Sequence, residues 1–158
     1  MSHARMEYAE FTKAAPDVVS ALRALTKTAT DAGLEKDLVE LIKIRASQIN
    51  GCAFCLQYHL NEARKHGVAP EKLDLVATWE EAGIFSAREC AALAWAERLA
   101  RLADHSVSDE TYAAARKHFS EDELLWLSVA IANINAWNRL GAAFRFAPPI
   151  ARQAAAAA

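Results

Sequence analysis

An all-α domain is what this chain predicts, and three observations predict it. No segment alternates apolar and polar residues as a half-buried strand would. Several segments follow the i, i+3, i+4 spacing of an amphipathic helix. Two S-x-x-E capping boxes, at Ser86 to Glu89 and Ser120 to Glu123, mark helix starts. At 158 residues the chain suits one domain, expected over residues 1–150, large enough to bury a core without a metal or structural disulfide to staple it.

Six or seven helices are expected, in order. The first starts near Pro16, a residue tolerated at the first helical position, presents Val18, Leu22, Leu25 and Ala29, and stops at Gly33. The second runs from about Glu35 to Asn50. After the Asn50-Gly51 break, the third carries Cys52, Cys55, Leu56, His59, Leu60 and Ala63, and closes on Arg64, Lys65, His66 and Gly67, where basic side chains meet unpaired carbonyls. A shorter helix opens at Pro70 and ends near Gly83. A longer one enters at Ser86 with Ala92, Trp95, Leu99 and Leu102 as its buried stripe. A short helix follows Ser108, and the last long one starts at Ser120, with Leu124, Leu127, Ile131, Ile134 and Trp137 on one face, before Pro148-Pro149 ends regular structure. The Ala154 to Ala158 run, within residues 151–158, reads as a disordered alanine-rich tail.

Charge and composition exclude several classes of function. Eighteen basic against twenty acidic side chains give a formal charge of −2 with no long basic block, so the electrostatic footprint of a nucleic-acid binder is missing. The first residues lack an apolar signal core, and no apolar run is long enough to span a bilayer. A soluble cytoplasmic protein with no membrane partner is therefore expected. Three cysteines do not make a disulfide framework, and in a reducing compartment a C-x-x-C pair points to redox chemistry or metal.

That pair is Cys52 and Cys55, with His59 four residues on. At about 100° per residue the three fall within about 60° of one another on a helix, a base and two sulfurs on one face. A thiol in a helix's first turn meets unpaired backbone N–H groups that favour thiolate. Two cysteines at i and i+3 have α-carbons roughly 5 Å apart, within the span of a disulfide, so the pair can close and reopen without unfolding the domain. The helical wheel puts Cys52 near the apolar side marked by Leu56, Leu60 and Ala63, and Cys55 towards the polar edge as the more accessible sulfur.

Other readings compete. Both cysteines could be small core hydrophobes, and Cys90, in an alanine-rich run, is most simply that. Zinc could take two cysteines and one histidine, but no further ligand sits at a finger-like spacing. His59 could be a half-buried structural imidazole, although its i+4 relation to Cys55 gives it reach to a thiol. His66 reads as a capping residue. Glu40, beside Lys36, Lys43 and Ser47 on its wheel and opposite Leu38, Leu41, Ile42 and Ile49, reads from periodicity as a solvated, salt-bridging glutamate.

Glu40, eleven intervening residues, then Cys52-x-x-Cys55-x-x-x-His59, embedded in Arg45-Ala-Ser-Gln-Ile-Asn-Gly-Cys-Ala-Phe-Cys, resembles the core motif of the AhpD-like alkylhydroperoxidases within the carboxymuconolactone decarboxylase superfamily. The segments Ala92 to Glu97 and Asn135 to Leu140 extend the likeness over most of the chain. The resemblance implies a helical bundle and a homo-oligomer, trimer or hexamer, whose packing the four tryptophans (Trp79, Trp95, Trp126, Trp137) would suit; ordinary core is their other reading.

It also implies a catalytic set and a reaction. Cys55 would be the peroxidatic thiolate, Cys52 the resolving cysteine, and His59 with Glu40 a proton relay, which requires Glu40 to be buried after all. The substrate would be a small hydroperoxide and the reductant an external dithiol or thiol protein, with no cofactor and no metal. Both sulfurs point away from the lactone decarboxylase branch. Disulfide exchange or redox sensing without efficient peroxide turnover is the alternative, favoured by one departure: Phe54 stands where better characterised members carry a histidine.

Overall fold

The computed structural model describes residues 4–104 and 106–150, and within them the regular structure is helical throughout. The elements are α1 (Tyr8–Ala14), α2 (Pro16–Asp31), α3 (Lys36–Ile49), α4 (Ala53–Lys65), α5 (Pro70–Leu75), a 3-10 turn (Val76–Thr78), α6 (Trp79–Ala82), α7 (Ala87–Ala100), α8 (Asp109–Arg116) and α9 (Glu121–Phe144). This exceeds the expected six or seven for two reasons. The segment from Pro70 to Gly83 is broken into α5, the 3-10 turn and α6 instead of forming one helix. A helix also precedes Pro16: α1 is capped by Glu7, whose capping box with Glu10 lacks the Ser or Thr that usually marks one.

The helix starts follow the local chemistry. Pro16 opens α2, and the Ser86 and Ser120 boxes are both closed, each serine accepting from the N3 amide while the N3 glutamate accepts from the serine N–H. The last helix stops at Phe144 rather than at the prolines, because Arg145 turns left-handed at φ 52° and its N–H donates to Gly141 O. Leu102 falls beyond the end of α7 and is 54% exposed, so the buried apolar residues of that helix are Ala92, Leu93, Trp95 and Ala96, with Leu99 half-buried. The expected alanine-rich tail lies outside the described residues.

The centre of the bundle is α3, which packs against α4, α7 and α9. One core, built from Leu38, Val39, Ile42, Ala92, Trp95, Leu127 and Ile131, joins α3, α7 and α9. A second, with Leu41, Ile44, Ala63, Leu73, Val76 and Leu93, joins α3 to α4, α5 and α7. Being covered on several sides, α3 has no solvated face from Leu38 to Ile44, and its polar residues there are buried with its apolar ones. All four tryptophans are buried or half-buried within the chain, two of them with their indole N–H bonded, Trp95 to Ser128 and Trp79 to Glu97.

Candidate active site

The turn between α3 and α4 delivers the two sulfurs. Gly51 takes φ +65°, a left-handed conformation that a residue with a Cβ rarely adopts. Asn50 is fastened to α9 by its carboxamide, which donates to Asn135 Oδ1 at 2.7 Å and to Asn138 Oδ1 at 2.9 Å; Asn138 in turn donates to Ser47 Oγ at 3.0 Å. Ser47 and Asn138 are fully buried, so this chain of amides fixes where α4 begins. Asn135, Asn138 and Gly141 share the inward stripe of α9 with Ile131 and Ile134. A run of polar and small residues on an otherwise apolar stripe is the signal by which sequence reading could have found this clasp.

Cys52 is the N-cap of α4, just outside the helix, and its Sγ accepts from the Cys55 N–H at 3.3 Å. The two cysteines are joined as a disulfide with α-carbons 5.4 Å apart. Neither sulfur lies at an exposed edge. Cys52 is 1% and Cys55 4% exposed, because Ala46, Ile134, Phe54 and Trp137 pack over them, which the wheel of α4 alone could not register. Behind them stands Gly141, where a Cβ would lie 2.6 Å from the Cys52 sulfur and 3.2 Å from that of Cys55.

Of the two sulfurs, Cys55 lines a cavity of about 430 Å³, together with Glu40, Lys43, His59, Tyr8, Phe54, Tyr58 and Trp137 among others. Glu40 is not solvated: it is 6% exposed, with Lys43 at 8%. Its carboxylate takes His59 Nδ1 at 2.7 Å and Lys43 Nζ at 3.0 Å. Burial alone would raise the Glu40 carboxyl, but the hydrogen bond from His59 and the nearby positive charge of Lys43 hold it below the usual range. Burial also lowers His59, outweighing the upward pull of Glu40, so the imidazole is neutral near pH 7. An ionised carboxylate can only accept, which assigns the ring proton to Nδ1 and leaves Nε2 with its lone pair. Nε2 has no partner among the described residues. Phe54 stacks among Tyr8, Tyr58 and Phe146, with centroids 4.8, 6.3 and 5.6 Å away, so this position contributes wall rather than a proton carrier. Among the described residues no group of three or more His, Cys, Asp or Glu side chains is placed to hold a metal.

The carboxymuconolactone decarboxylase family profile matches residues 16–98, which hold α2 to α6 and most of α7 and with them both sulfurs and the Glu40–His59 pair. The chain belongs to this family. Its AhpD-like character follows from solved structures: the Agrobacterium tumefaciens protein ATU0492, proposed as the antioxidant defence protein AhpD, superposes with a TM-score of 0.87 at 35% identity, over 94% of this chain and 99% of that one. The uncharacterised Bacillus subtilis protein YdfG is 34% identical over 139 residues, 88% of this chain and 92% of its own length. A shorter match, 49% over 41 residues, links 26% of this chain to 23% of the alkyl hydroperoxide reductase AhpD of Hyphomonas neptunium. Among the described residues of this family member, no helix is long and apolar enough to cross a membrane.

Proposed function

We propose that this chain is a thiol-dependent peroxidase for organic hydroperoxides. The observation that carries the reading is one cavity lined by Cys55, by a neutral His59 and by the Glu40 that orients it. In the reduced protein the Cys55 thiol gives its proton to the open Nε2 of His59, and the thiolate attacks the terminal oxygen of ROOH. The O–O bond breaks, Cys55 becomes a sulfenic acid, and the imidazolium returns its proton to RO⁻ to release ROH. The sulfur of Cys52 then attacks Cys55, the S–OH bond breaks, and the departing hydroxide leaves as water with the Cys52 proton. Two thiols and ROOH thus yield one disulfide, ROH and water, and an external dithiol must restore the thiols.

The AhpD relatives support this reading. So does the placement of Cys55 in the lining of a cavity, with Cys52 buried beside it rather than on a surface, which favours a small substrate over the second reading, exchange with protein disulfides. Assembly into a homo-oligomer belongs to the same proposal, and light scattering in solution tests it. For the chemistry, the reduced protein is mixed with cumene hydroperoxide and free thiols are counted. Two thiols are expected to disappear per chain, with a mass-mapped Cys52–Cys55 bond, and Cys55→Ser to lose at least about 10³-fold in rate. An undiminished rate in Cys55→Ser, or rapid disulfide exchange without peroxide consumption, overturns it.

A further inference from the structure

The proposed thiol chemistry uses the floor of the cavity and leaves its walls and rim unexplained. At about 430 Å³ the chamber falls in the range of pockets for drug-sized ligands, whereas a water-sized peroxide occupies roughly 30 Å³. One wall is a run of rings, Tyr8, Phe54, Tyr58, Trp137 and Phe146, with the Tyr8 and Trp137 centroids 6.3 Å apart. The wall opposite in chemical character comes from α2, which supplies Arg23, Thr26, Lys27 and Thr30.

The charges on this lining are not equally engaged. Lys43 is bonded to Glu40, and Lys27 to Asp31. Arg23 meets no carboxylate among the described residues; its guanidinium donates to the Tyr8 hydroxyl at 3.3 Å, which leaves most of its five N–H donors open. Arg23 is exposed, and it sits on a cavity that pairs an aromatic wall with polar side chains, whose two carboxylates are both engaged, Glu40 by His59 and Lys43 and Glu62 by Lys65. A planar fork of this kind is suited to a carboxylate. Asn133 adds a second unsatisfied group: it is 4% exposed, its NH₂ is taken by Leu22 O and Thr26 Oγ1, and its Oδ1 has no partner.

We propose that the cavity selects an aromatic hydroperoxide carrying a carboxylate, its ring against the Phe54–Trp137 wall and its anion on Arg23 at the rim. The assignment rests on the peroxidase reading for the reaction and on the cavity lining for the selection, and the two can fail separately. The test compares cumene hydroperoxide with its para-carboxylated analogue by stopped-flow oxidation of the reduced protein. It also compares binding of cumene and para-isopropylbenzoate, which cannot react, by quenching of tryptophan fluorescence in the oxidised protein.

The carboxylated member of each pair is expected to be favoured by about five- to tenfold, a charge-assisted contact discounted for solvent at the rim. In Arg23→Gln the ratio falls to near one. In Lys36→Gln, a control at an exposed lysine on α3 outside the cavity lining, it stays as in the wild type. Equal handling of the two members by the wild type, or a preference that survives Arg23→Gln, overturns the proposal. Selective binding of para-isopropylbenzoate with no thiol loss to either hydroperoxide leaves the anion site standing and removes the peroxidase reading.

Discussion

Helix α3 carries two charged clusters barely more than a turn apart, one buried and one half-buried, and they are built from similar parts to different ends. Arg45 donates from Nε to Glu97 Oε1 at 2.6 Å, the Trp79 indole donates to the same oxygen at 2.9 Å, and Arg101 reaches Oε2 at 3.4 Å. Burial would raise Glu97, yet Trp79 and Arg45 hold it below the usual carboxylate range. Every charged group there has a partner, and the result ties α3, α6 and α7 together. In the other cluster Glu40 is equally well bonded, but its partner His59 keeps one ring nitrogen free in a side chain that lines a cavity with Cys55. A saturated network fixes a structure; one that leaves a lone pair open in a cavity shared with a sulfur is what the proposed proton transfer requires.

That contrast can be broken experimentally, most severely at the open cluster. Changing His59 to Gln removes the base and is expected to slow hydroperoxide-driven thiol oxidation by about 10² to 10⁴-fold, with Glu40→Gln lowering it in the same direction. If either variant oxidises at the wild-type rate, the open cluster is as structural as the closed one. At Glu97 the opposite pattern is expected: Glu97→Gln leaves Arg45 without its anion and costs about 2–3 kcal/mol in urea unfolding, while thiol oxidation in the folded fraction stays within about twofold.

A fourth substitution sharpens the comparison at the sulfurs themselves. Gly141→Ala places a methyl 2.6 Å from the Cys52 sulfur, and the oxidised protein is expected to lose about 1–3 kcal/mol. Unfolding followed separately in oxidised and reduced protein checks this, and a smaller loss in the reduced form shows that the methyl opposes the closed pair in particular.

The mildest effect is on the pH dependence of stability. His59 and Glu40 both titrate below their ordinary values of 6.5 and 4.5 in the folded protein. On acidification the unfolded chain therefore takes up protons before the folded one does, first at the imidazole and then at the carboxyl. Stability is complete above about pH 6.5 and declines below it, by at most about 1.4 kcal/mol per pH unit for each group. Melting curves across this range are expected to show the decline, and His59→Gln to remove its upper limb.

Much of the fold was legible because its punctuation is local. Pro16, the Ser86 and Ser120 boxes and Gly83 act within one turn of themselves, and each marks the helix boundary read from it. What escaped depended on neighbours distant in sequence. Glu40 looked solvated because a helical wheel assumes one wet side, whereas α3 is enclosed by α4, α7 and α9. The wheel of α4 ranked Cys55 correctly as the more accessible sulfur, but it contains neither Ile134 nor Trp137 and so missed how deeply both are buried. The clasp from Asn50 to α9 spans 85 and 88 positions, beyond any periodicity argument. The family resemblance supplied the burial of Glu40 that the wheel denied, and the Phe54 departure it flagged proves to be a stacking surface.

The boundaries of the family match carry a further consequence. Residues 16–98 contain both sulfurs, Glu40, Lys43 and His59, whereas Tyr8, Asn133, Ile134, Trp137 and Phe146, which shape the chamber above them, all lie outside it. The chamber is thus shared: Arg23, Phe54 and Tyr58 come from the matched stretch along with the reactive groups, and the rest of the aromatic wall comes from its two flanks. Substitutions at Tyr8, Ile134, Trp137 or Phe146 can therefore reshape one side of the chamber without touching Cys55, His59 or Glu40.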